Sequence, residues 1–274
     1  MDIYEKTRLF YESWPGEKRI IGKSLFGRNL YAVEIGDGTP VGIAQYAIHG
    51  REFITAELAF LHAKIGGKGS LWILPLTNPD GALLSQIGIS SAPSLERKKL
   101  LSLNGGKENF SLWKANGRGV DLNVNFAARW GEGVKNLRIA GAENYIGEKP
   151  FSEPETQALK EFTEKIRPDY TVSYHTKGEE IYWYFHQQGE GLIRVQRLAK
   201  VLSLSTGYPL AMAQGSVGGY KDWCIEKFDV PAFTIEAGAD GYTHPIQEEG
   251  LEDILTKNQN ALLDLSTAYG IEKL

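Results

Sequence analysis

The sequence predicts an α/β fold in which helices pack around a mostly parallel or mixed β-sheet. Short apolar runs, typical of buried strands, alternate with longer segments of helical periodicity. Three polar residues that could bind a metal or take part in catalysis also follow those apolar runs: His49, His175 and Glu236. Open α/β sheets bind ligands beyond the carboxyl ends of their strands, so this placement favours the same fold.

The predicted elements follow one another without an internal repeat, a low-complexity tract or a long linker. Strands are expected at 30–35, 41–48, 71–76, 170–174 and 232–235. Helices are expected at 53–65, 154–166, 191–204 and 248–269. Ser152 stands as N-cap of the second helix with Glu155 three residues on, the spacing of a capping box. The aromatic segment 180–185 could be a core strand or the lining of a cleft, and alternation does not decide between them.

Length and composition bound the class of protein. The 274 residues are 42% hydrophobic and 23% charged with a net charge of −4, which suits a single globular domain spanning residues 1–274. Without a basic stripe, a nucleic-acid partner is not expected. No stretch approaches the ~20 apolar residues of a membrane span, so no membrane partner is expected either. The polar N-terminus predicts a cytoplasmic protein, or a secreted one if a signal was removed.

The single cysteine, Cys224, cannot form an internal disulfide, so an oxidising compartment is not implied. Its segment has the pattern of a buried helix, and a free cysteine in that setting is usually a small core residue. A catalytic thiol is therefore the less favoured interpretation.

A set of possible metal ligands is the strongest functional signal. His49 and Glu52 stand three residues apart in His-Gly-Arg-Glu, and His175 follows a later strand. Two imidazoles and a carboxylate form a three-ligand set of the kind that catalytic zinc sites use. Alternatively, His49 is a loop histidine and Glu52 a carboxylate favoured at a helix start. Three further histidines fit a ligand set less well: His62, His186 and His244.

At these residues the chain resembles the carboxypeptidase A-like zinc metallocarboxypeptidases. Segments similar to that family occur in family order at 49–55, 77–81, 119–126, 152–155, 174–176, 218–223 and 234–236. The resemblance implies a three-layer α/β sandwich, with a mixed, mostly parallel twisted sheet and helices on both faces. It also implies one Zn²⁺ per chain, bound by His49, Glu52 and His175, although this donor set would accept other divalent ions.

The resemblance implies further roles near the metal. Asp121 would accept a hydrogen bond from a ligand histidine and fix its tautomer. Glu236 would take a proton from the attacking water and pass it to the leaving nitrogen. Lys114 matches the family's basic residue that stabilises the oxyanion, with Arg51 and Arg118 as the other candidates. Each of these three cations could instead be a solvated surface charge.

The chain departs from the carboxypeptidases where they bind a substrate's terminal carboxylate. The family's Asn-Arg-Asn segment is Asn123-Val124-Asn125 here, and valine cannot bind a carboxylate. The mobile tyrosine before Gly-Gly also has no match, since Gln214 occupies its spacing. These features resemble a bacterial branch that contains γ-D-glutamyl-L-diamino acid endopeptidases and murein peptide amidases.

That branch implies cleavage of peptidoglycan stem peptides between γ-D-glutamate and meso-diaminopimelate or lysine. Since no wall-binding repeat or export signal is visible, soluble muropeptides are the expected substrates. Several residues in or near the motifs could bind the peptide: Arg118, Asn123, Arg129, Lys177 and Lys221. The alternatives are an exopeptidase with another carboxylate clamp and a non-catalytic muropeptide-binding module. The oligomeric state is not indicated.

Overall fold

The computed structural model describes residues 1–212 and 215–272. The strands are β1 (Lys18–Lys23), β2 (Asn29–Ile35), β3 (Val41–Tyr46), β4 (Ser70–Leu74), β5 (Tyr170–His175), β6 (Glu180–Tyr182), β7 (Leu210–Ala211) and β8 (Ala232–Glu236). The α-helices are α1 (Ile3–Ser13), α2 (Thr55–Ile65), α3 (Pro79–Ile87), α4 (Arg97–Leu103), α5 (Pro154–Ile166), α6 (Gly189–Thr206), α7 (Tyr220–Phe228), α8 (Glu248–Asn258) and α9 (Ala261–Glu272). Short 3₁₀ helices occupy Gly50–Glu52, Ile89–Ser91 and Leu122–Val124.

All eight described strands form one mixed sheet in the order β1-β2-β4-β3-β5-β8-β6-β7. Four pairings are parallel: β3 with β4, β3 with β5, β5 with β8, and β6 with β7. The other three are antiparallel. The predicted mixed, mostly parallel sheet is therefore confirmed.

Helices cover both faces of the sheet because each central strand alternates its apolar side chains between two cores. On one face, Ala44, Ile73 and Phe233 pack with residues of α2, α6, α8 and α9. On the other face, Ile43 and Trp72 pack with residues of α5 and α7. This alternation produces the three-layer sandwich that the sequence predicts.

The sheet register brings the candidate site residues to one edge. β5 and β8 are parallel neighbours, and His175 at the end of β5 is the partner of Glu236 at the end of β8. β3 lies on the other side of β5 and ends at Tyr46, three residues before His49. The carboxyl ends of these strands therefore deliver all three residues to the same place.

Three local predictions were wrong. α5 begins after Glu153, and Ser152 is not its N-cap: the Ser152 hydroxyl donates to Glu153 and accepts from Asn125 instead. The long helix expected at 248–269 is two helices, α8 and α9, separated near Gln259. The strand expected at 41–48 is shorter, ending at Tyr46.

A buried polar network ties the first hairpin to the segment before Asp121. Asp80 accepts from Ser24 Oγ at 2.9 Å and from the Phe26 N–H at 2.8 Å. Glu155 accepts from the Leu25 N–H at 2.9 Å and from Asn116 Nδ2 at 3.2 Å. The side-chain oxygen of Asn116 in turn accepts from the backbone N–H groups of Arg118 and Val120.

The aromatic segment 180–185 contributes to both the core and a cleft. Ile181 and Trp183 pack into the core on one face of the sheet, and Phe185 packs on the other. Tyr182 lies opposite Thr234 of β8 and lines the large cleft beside Glu236.

Within the described residues, none of the helices has both the length and the apolar character needed to span a bilayer.

Candidate metal centre and active-site cleft

His49, Glu52 and His175 converge as one buried group of possible metal ligands. Their donor atoms all lie within 4.8 Å of one another. The Nδ1 atoms of the two imidazoles are 3.0 Å apart, and Glu52 lies 2.9 Å from His49 Nδ1 and 3.0 Å from His175 Nδ1. Two imidazole nitrogens and a carboxylate facing one point are a donor set that fits Zn²⁺.

The loop after β3 orients the first two ligands through a sharp turn. The 3₁₀ helix Gly50–Glu52 forms this turn, so that the side chains of His49 and Glu52 face the same point. A Cβ at Gly50 would lie 2.5 Å from the backbone of Gly81 and 2.7 Å from the carbonyl of Trp113. Only glycine allows this close approach of three backbone segments.

The carboxylate of Glu52 is ionised despite its burial. Desolvation opposes ionisation, but the adjacent imidazoles of His49 and His175 hold the pKa of Glu52 well below its usual range. An ionised carboxylate between two imidazoles is the form that binds a metal cation.

Asp121 contacts His49 on the side away from the other ligands. Its Oδ1 lies 3.2 Å from His49 Nε2, and its Oδ2 lies 2.9 Å from Lys114 Nζ. Burial opposes ionisation, but Lys114 and His49 hold the pKa of Asp121 well below its usual range. An ionised Asp121 favours the proton on Nε2 and leaves His49 Nδ1 free as a ligand.

Glu236 lines the same cleft as His49. Burial raises the pKa of its carboxyl to about 7, and the charge of Glu52 adds to that rise while His175 opposes it. A carboxyl that exchanges its proton near neutral pH suits general acid–base work.

The cleft next to the metal ligands has a volume of about 600 Å³. Five of the residues singled out from the sequence line it besides His49 and Glu236: Arg51, Lys114, Asn123, Val124 and Lys221. Asn123 Nδ2 lies 3.5 Å from His175 Nε2, which places this side chain beside a metal ligand. Val124 belongs to the 3₁₀ helix Leu122–Val124 and presents an apolar side chain to the cleft. Position 124 therefore supplies no cation for a substrate carboxylate.

The remaining predicted cations lie elsewhere among the described residues. Arg118 is 3.5 Å from Glu153, outside the set that lines the cleft. Arg129 pairs with Glu132 and His186 at a separate, more open depression. Lys177 Nζ donates to the Asp240 carbonyl. The structure therefore brings Lys114, Arg51 and Lys221 to the cleft, but not these three.

Lys221, predicted as a possible peptide-binding residue, and Tyr182, from the aromatic segment that could line a cleft, both line this cleft, and so does Asp222, which was not singled out from the sequence. Their positions in the sequence are informative: Lys221 and Asp222 follow the Gly218-Gly219 pair, and Tyr182 alternates with core residues in β6.

Gln214 lies outside the described residues. Cys224 is fully buried and burial raises the pKa of its thiol to about 12, which agrees with a core residue.

The fold and the metal-ligand set are typical of zinc metallopeptidases. The chain belongs to the zinc carboxypeptidase family, Peptidase_M14, whose sequence model matches residues 15–261. The resemblance found in the motifs is thereby confirmed, together with zinc as the metal of the family.

Two relatives show which members of the family the chain resembles in sequence. The chain is 31% identical over 250 residues to γ-D-glutamyl-L-diamino acid endopeptidase 1 of Lysinibacillus sphaericus, covering 83% of this chain and 62% of that protein. It thus spans less than two thirds of that relative. It is 34% identical over 201 residues to murein peptide amidase A of Escherichia coli K12, covering 68% of this chain and 78% of the relative.

A solved structure supports the fold. The structure of bovine thrombin-activatable fibrinolysis inhibitor, in complex with a tick carboxypeptidase inhibitor, superimposes with a TM-score of 0.79 at 19% identity. The match covers 100% of this chain and 98% of that one. At this identity, the likeness concerns the fold alone.

Proposed function

We propose that this protein is a zinc-dependent peptidase that hydrolyses the bond between γ-D-glutamate and a diamino acid in peptidoglycan stem peptides. The 274 residues would act as one catalytic domain. The observation that carries the proposal is the intact metal and proton-transfer set combined with Val124 in the cleft. Two relatives whose names refer to murein or γ-D-glutamyl-diamino acid peptides support it.

In the proposed mechanism His49, Glu52 and His175 hold the metal. Bound zinc supplies Lewis acidity, which activates water and polarises the carbonyl that is attacked. Glu236 accepts a proton from the attacking water while the oxygen of that water bonds to the γ-carbonyl carbon of D-glutamate. When the C–N bond breaks, Glu236 returns that proton to the amine of the diamino acid.

Lys114 is the proposed electrophile for the oxyanion. It lines the cleft, and although burial opposes its charge, Asp121 and Glu52 raise the pKa of Lys114, so that it remains an ammonium. Arg51 lines the same cleft and pairs with Glu143 at 3.3 Å. Both cations are paired, and we favour Lys114 because its partner Asp121 also contacts the ligand His49, which ties this ammonium to the metal centre.

Position 124 is valine, where carboxypeptidases have an arginine that binds the substrate's C-terminal carboxylate. This difference supports an enzyme that does not depend on that carboxylate. A carboxypeptidase needs a cation there because its substrates all end in that group. A stem peptide can continue with D-alanine beyond the diamino acid, so a fixed clamp at this position would exclude part of its substrates.

The test compares L-Ala-γ-D-Glu-meso-diaminopimelate with two analogues. One is extended by D-alanine at the L-centre of the diamino acid, and the other has an α-linked D-glutamate. We expect cleavage of the extended peptide within about tenfold of the parent and loss of cleavage for the α-linked isomer. Loss of cleavage on extension would make the protein an exopeptidase, and no turnover with added zinc would make it a binding module.

A further inference from the structure

Asn116 closes the short turn that separates Lys114 from Asp121. Its side-chain oxygen accepts from the Arg118 N–H at 3.0 Å and from the Val120 N–H at 3.1 Å. Its backbone N–H donates to the Val120 carbonyl at 2.9 Å. Three hydrogen bonds therefore fix the path of the chain between the two charged residues that meet beside the metal centre.

The amide nitrogen of Asn116 anchors this turn to the start of helix α5. It donates to Glu153 Oε2 at 2.8 Å and to Glu155 Oε2 at 3.2 Å. Both glutamates are almost entirely buried, and so is Asn116. Since an asparagine side chain has two N–H groups and two oxygen lone pairs, its four side-chain hydrogen bonds use all of this capacity.

The two glutamates are themselves held by other segments of the chain. Glu153 Oε1 accepts from Ser152 Oγ at 2.8 Å and lies 3.5 Å from the Arg118 guanidinium. Glu155 Oε1 accepts from the N–H of Leu25, in the loop between β1 and β2, at 2.9 Å. The anchor is therefore a fixed point to which the turn is attached.

The turn meets the metal centre at both of its ends. Before the turn, the Lys114 carbonyl accepts at 2.9 Å from the N–H of Gly50, which begins the 3₁₀ helix that carries Glu52. After the turn, Asp121 lies 3.2 Å from His49 Nε2 and 2.9 Å from Lys114 Nζ. A shift of the turn would therefore move the ammonium and the carboxylate relative to the metal ligands.

Asn116 itself is fully buried and is not among the residues that line the cleft. It cannot touch a bound substrate, so any effect on the reaction has to act through Lys114 and Asp121. A buried polar network in which every group has its partners fixes one arrangement of the chain, whereas apolar packing tolerates several. The polar side chain at position 116 thus has a geometric role.

Building on the proposed function, we propose that Asn116 is a positioning residue that holds Lys114 and Asp121 in place beside the zinc ligands. Through Lys114 it determines where the ammonium meets the oxyanion, and through Asp121 it keeps His49 oriented. Its effect on the cleavage is indirect.

Asn116→Ala removes all four side-chain hydrogen bonds and tests this role at pH 7. It should lower kcat for L-Ala-γ-D-Glu-meso-diaminopimelate about 100-fold, because a misplacement of about 1 Å at a catalytic group has an effect of that size. KM should stay within about threefold of the wild-type value, since no substrate contact is lost. The zinc dissociation constant, measured by competition with a chromogenic chelator, should rise about tenfold because His49 is less firmly oriented.

Asn258→Ala is the matched control for the loss of a buried asparagine. Asn258 is equally buried, and its Nδ2 donates to the Tyr208 hydroxyl at 3.0 Å and to the Ile254 carbonyl at 2.9 Å. It ends α8, which packs on the face of the sheet opposite α5. This variant should also unfold at a lower urea concentration, but its kcat and zinc dissociation constant should stay within about threefold of wild type.

A second pair of variants exchanges the amide and the carboxylate across the anchor. Asn116→Asp keeps the oxygen that closes the turn but places a carboxylate against Glu153, so it should lower kcat about as much as Asn116→Ala. Adding Glu153→Gln restores an amide-to-carboxylate hydrogen bond with donor and acceptor reversed, and should return kcat to within about tenfold of wild type. Burial raises the pKa of Glu155 to about 8, so at pH 7 its protonated carboxyl does not oppose the exchange.

The outcomes separate the inference from the function on which it rests. Wild-type kcat in a folded, zinc-loaded Asn116→Ala variant would overturn the inference, and so would an equal loss of kcat in Asn258→Ala. If Asn116→Ala does not fold, Asn116→Asp and its double variant decide, and a loss that Glu153→Gln fails to restore would overturn the inference. Absence of cleavage by the wild-type protein would overturn the proposed function alone, and the zinc dissociation constants of the same variants would then decide the inference.

Discussion

Asp121 connects a histidine of the metal-ligand set to the proposed electrophile. It contacts His49 Nε2 on one oxygen and Lys114 Nζ on the other, and it also accepts from the backbone N–H groups of Asn123 and Asn144. A single carboxylate therefore orients a ligand histidine, holds the proposed electrophile and fixes the turn that carries Asn123. Such partners tune the metal nearly as much as the ligands themselves.

Asp121→Asn should lower zinc affinity about 10- to 100-fold, because a neutral amide orients and polarises His49 less effectively. Competition with a chromogenic chelator measures the dissociation constant. Asp37→Asn, at an exposed bend, is the control and should bind zinc as the wild-type protein does. Unchanged affinity in Asp121→Asn would contradict the assigned role.

Glu236→Gln should lower kcat about 10²- to 10⁴-fold while zinc binding stays stoichiometric, since glutamine cannot carry a proton from water to the leaving amine. Steady-state kinetics and elemental analysis of the same preparation give the two quantities. Cleavage at a wild-type rate by the zinc-loaded variant would rule out Glu236 as the proton carrier.

The zinc-ligand set could be proposed from the sequence because it depends on residue type, spacing and order. The motif and the expected strand ends made a metal site at His49, Glu52 and His175 a hypothesis, and the family resemblance assigned these three residues as the ligands. The cations were harder to place, since lysine and arginine are frequent on any surface. Sequence position alone did not distinguish Lys114, which lines the cleft, from Lys177, which contacts Asp240.

At the scale of single elements, the 3₁₀ turn Gly50–Glu52 determines whether two ligands meet. It packs against the start of α3 and the segment around Trp113, with no room for a side chain at Gly50. Its neighbour Thr55 accepts from the Ala47 N–H and donates to the Glu52 carbonyl, which ties both ends of the turn together.

Gly50→Ala should lower the free energy of unfolding by about 2 kcal/mol or more and weaken zinc binding, because overpacking against backbone forces the turn to move. Chemical denaturation with and without zinc measures both effects. Gly241→Ala is the control, since a Cβ there meets no atom within 4 Å. Equal stability of the two variants would show that the turn is not so tightly constrained.

The element boundaries show where local patterns mislead. Ser152 has the spacing of a capping box, but its hydroxyl accepts from Asn125 and donates to Glu153, and the N-cap of the helix is Glu153, one residue later. The periodicity of 248–269 continues across the break between α8 and α9, since both helices bury apolar residues in the same core. Tertiary contacts decided both cases, and they are not visible in a window of sequence.

At the scale of the whole molecule, a buried acid links stability to pH. Burial, followed by the charge of Asp80, raises the pKa of Glu155 from 4.5 to about 8. The folded chain thus keeps a proton that the unfolded chain releases above about pH 4.5. This contribution to stability is full below pH 4.5 and is lost as the pH rises toward 8.

Between pH 5 and pH 8, the wild-type protein should lose on the order of 2 kcal/mol more stability than Glu155→Gln, because glutamine cannot ionise. Denaturant titrations of both proteins at the two pH values, in the presence of a chelator to remove metal effects, give the difference. Parallel losses in the two proteins would show that Glu155 is not the titrating group.

The fold class also belongs to this scale, and it was predictable because strand and helix patterns alternate along most of the chain. The order of the strands was not predictable from those patterns. The pairing of β5 with β8, which places His175 opposite Glu236, joins segments about sixty residues apart. That pairing places Glu236 beside the zinc ligands, a position that the family resemblance implied through the role of Glu236 although the strand pairing itself was not predicted.

The most direct test of the account is mass spectrometry of the products formed from L-Ala-γ-D-Glu-meso-diaminopimelate by the zinc-loaded protein. The account predicts L-Ala-γ-D-Glu and free meso-diaminopimelate, with no cleavage after chelation and restoration by added zinc. Release of L-alanine, cleavage that persists without metal, or an intact peptide after incubation with the zinc-loaded protein would contradict it.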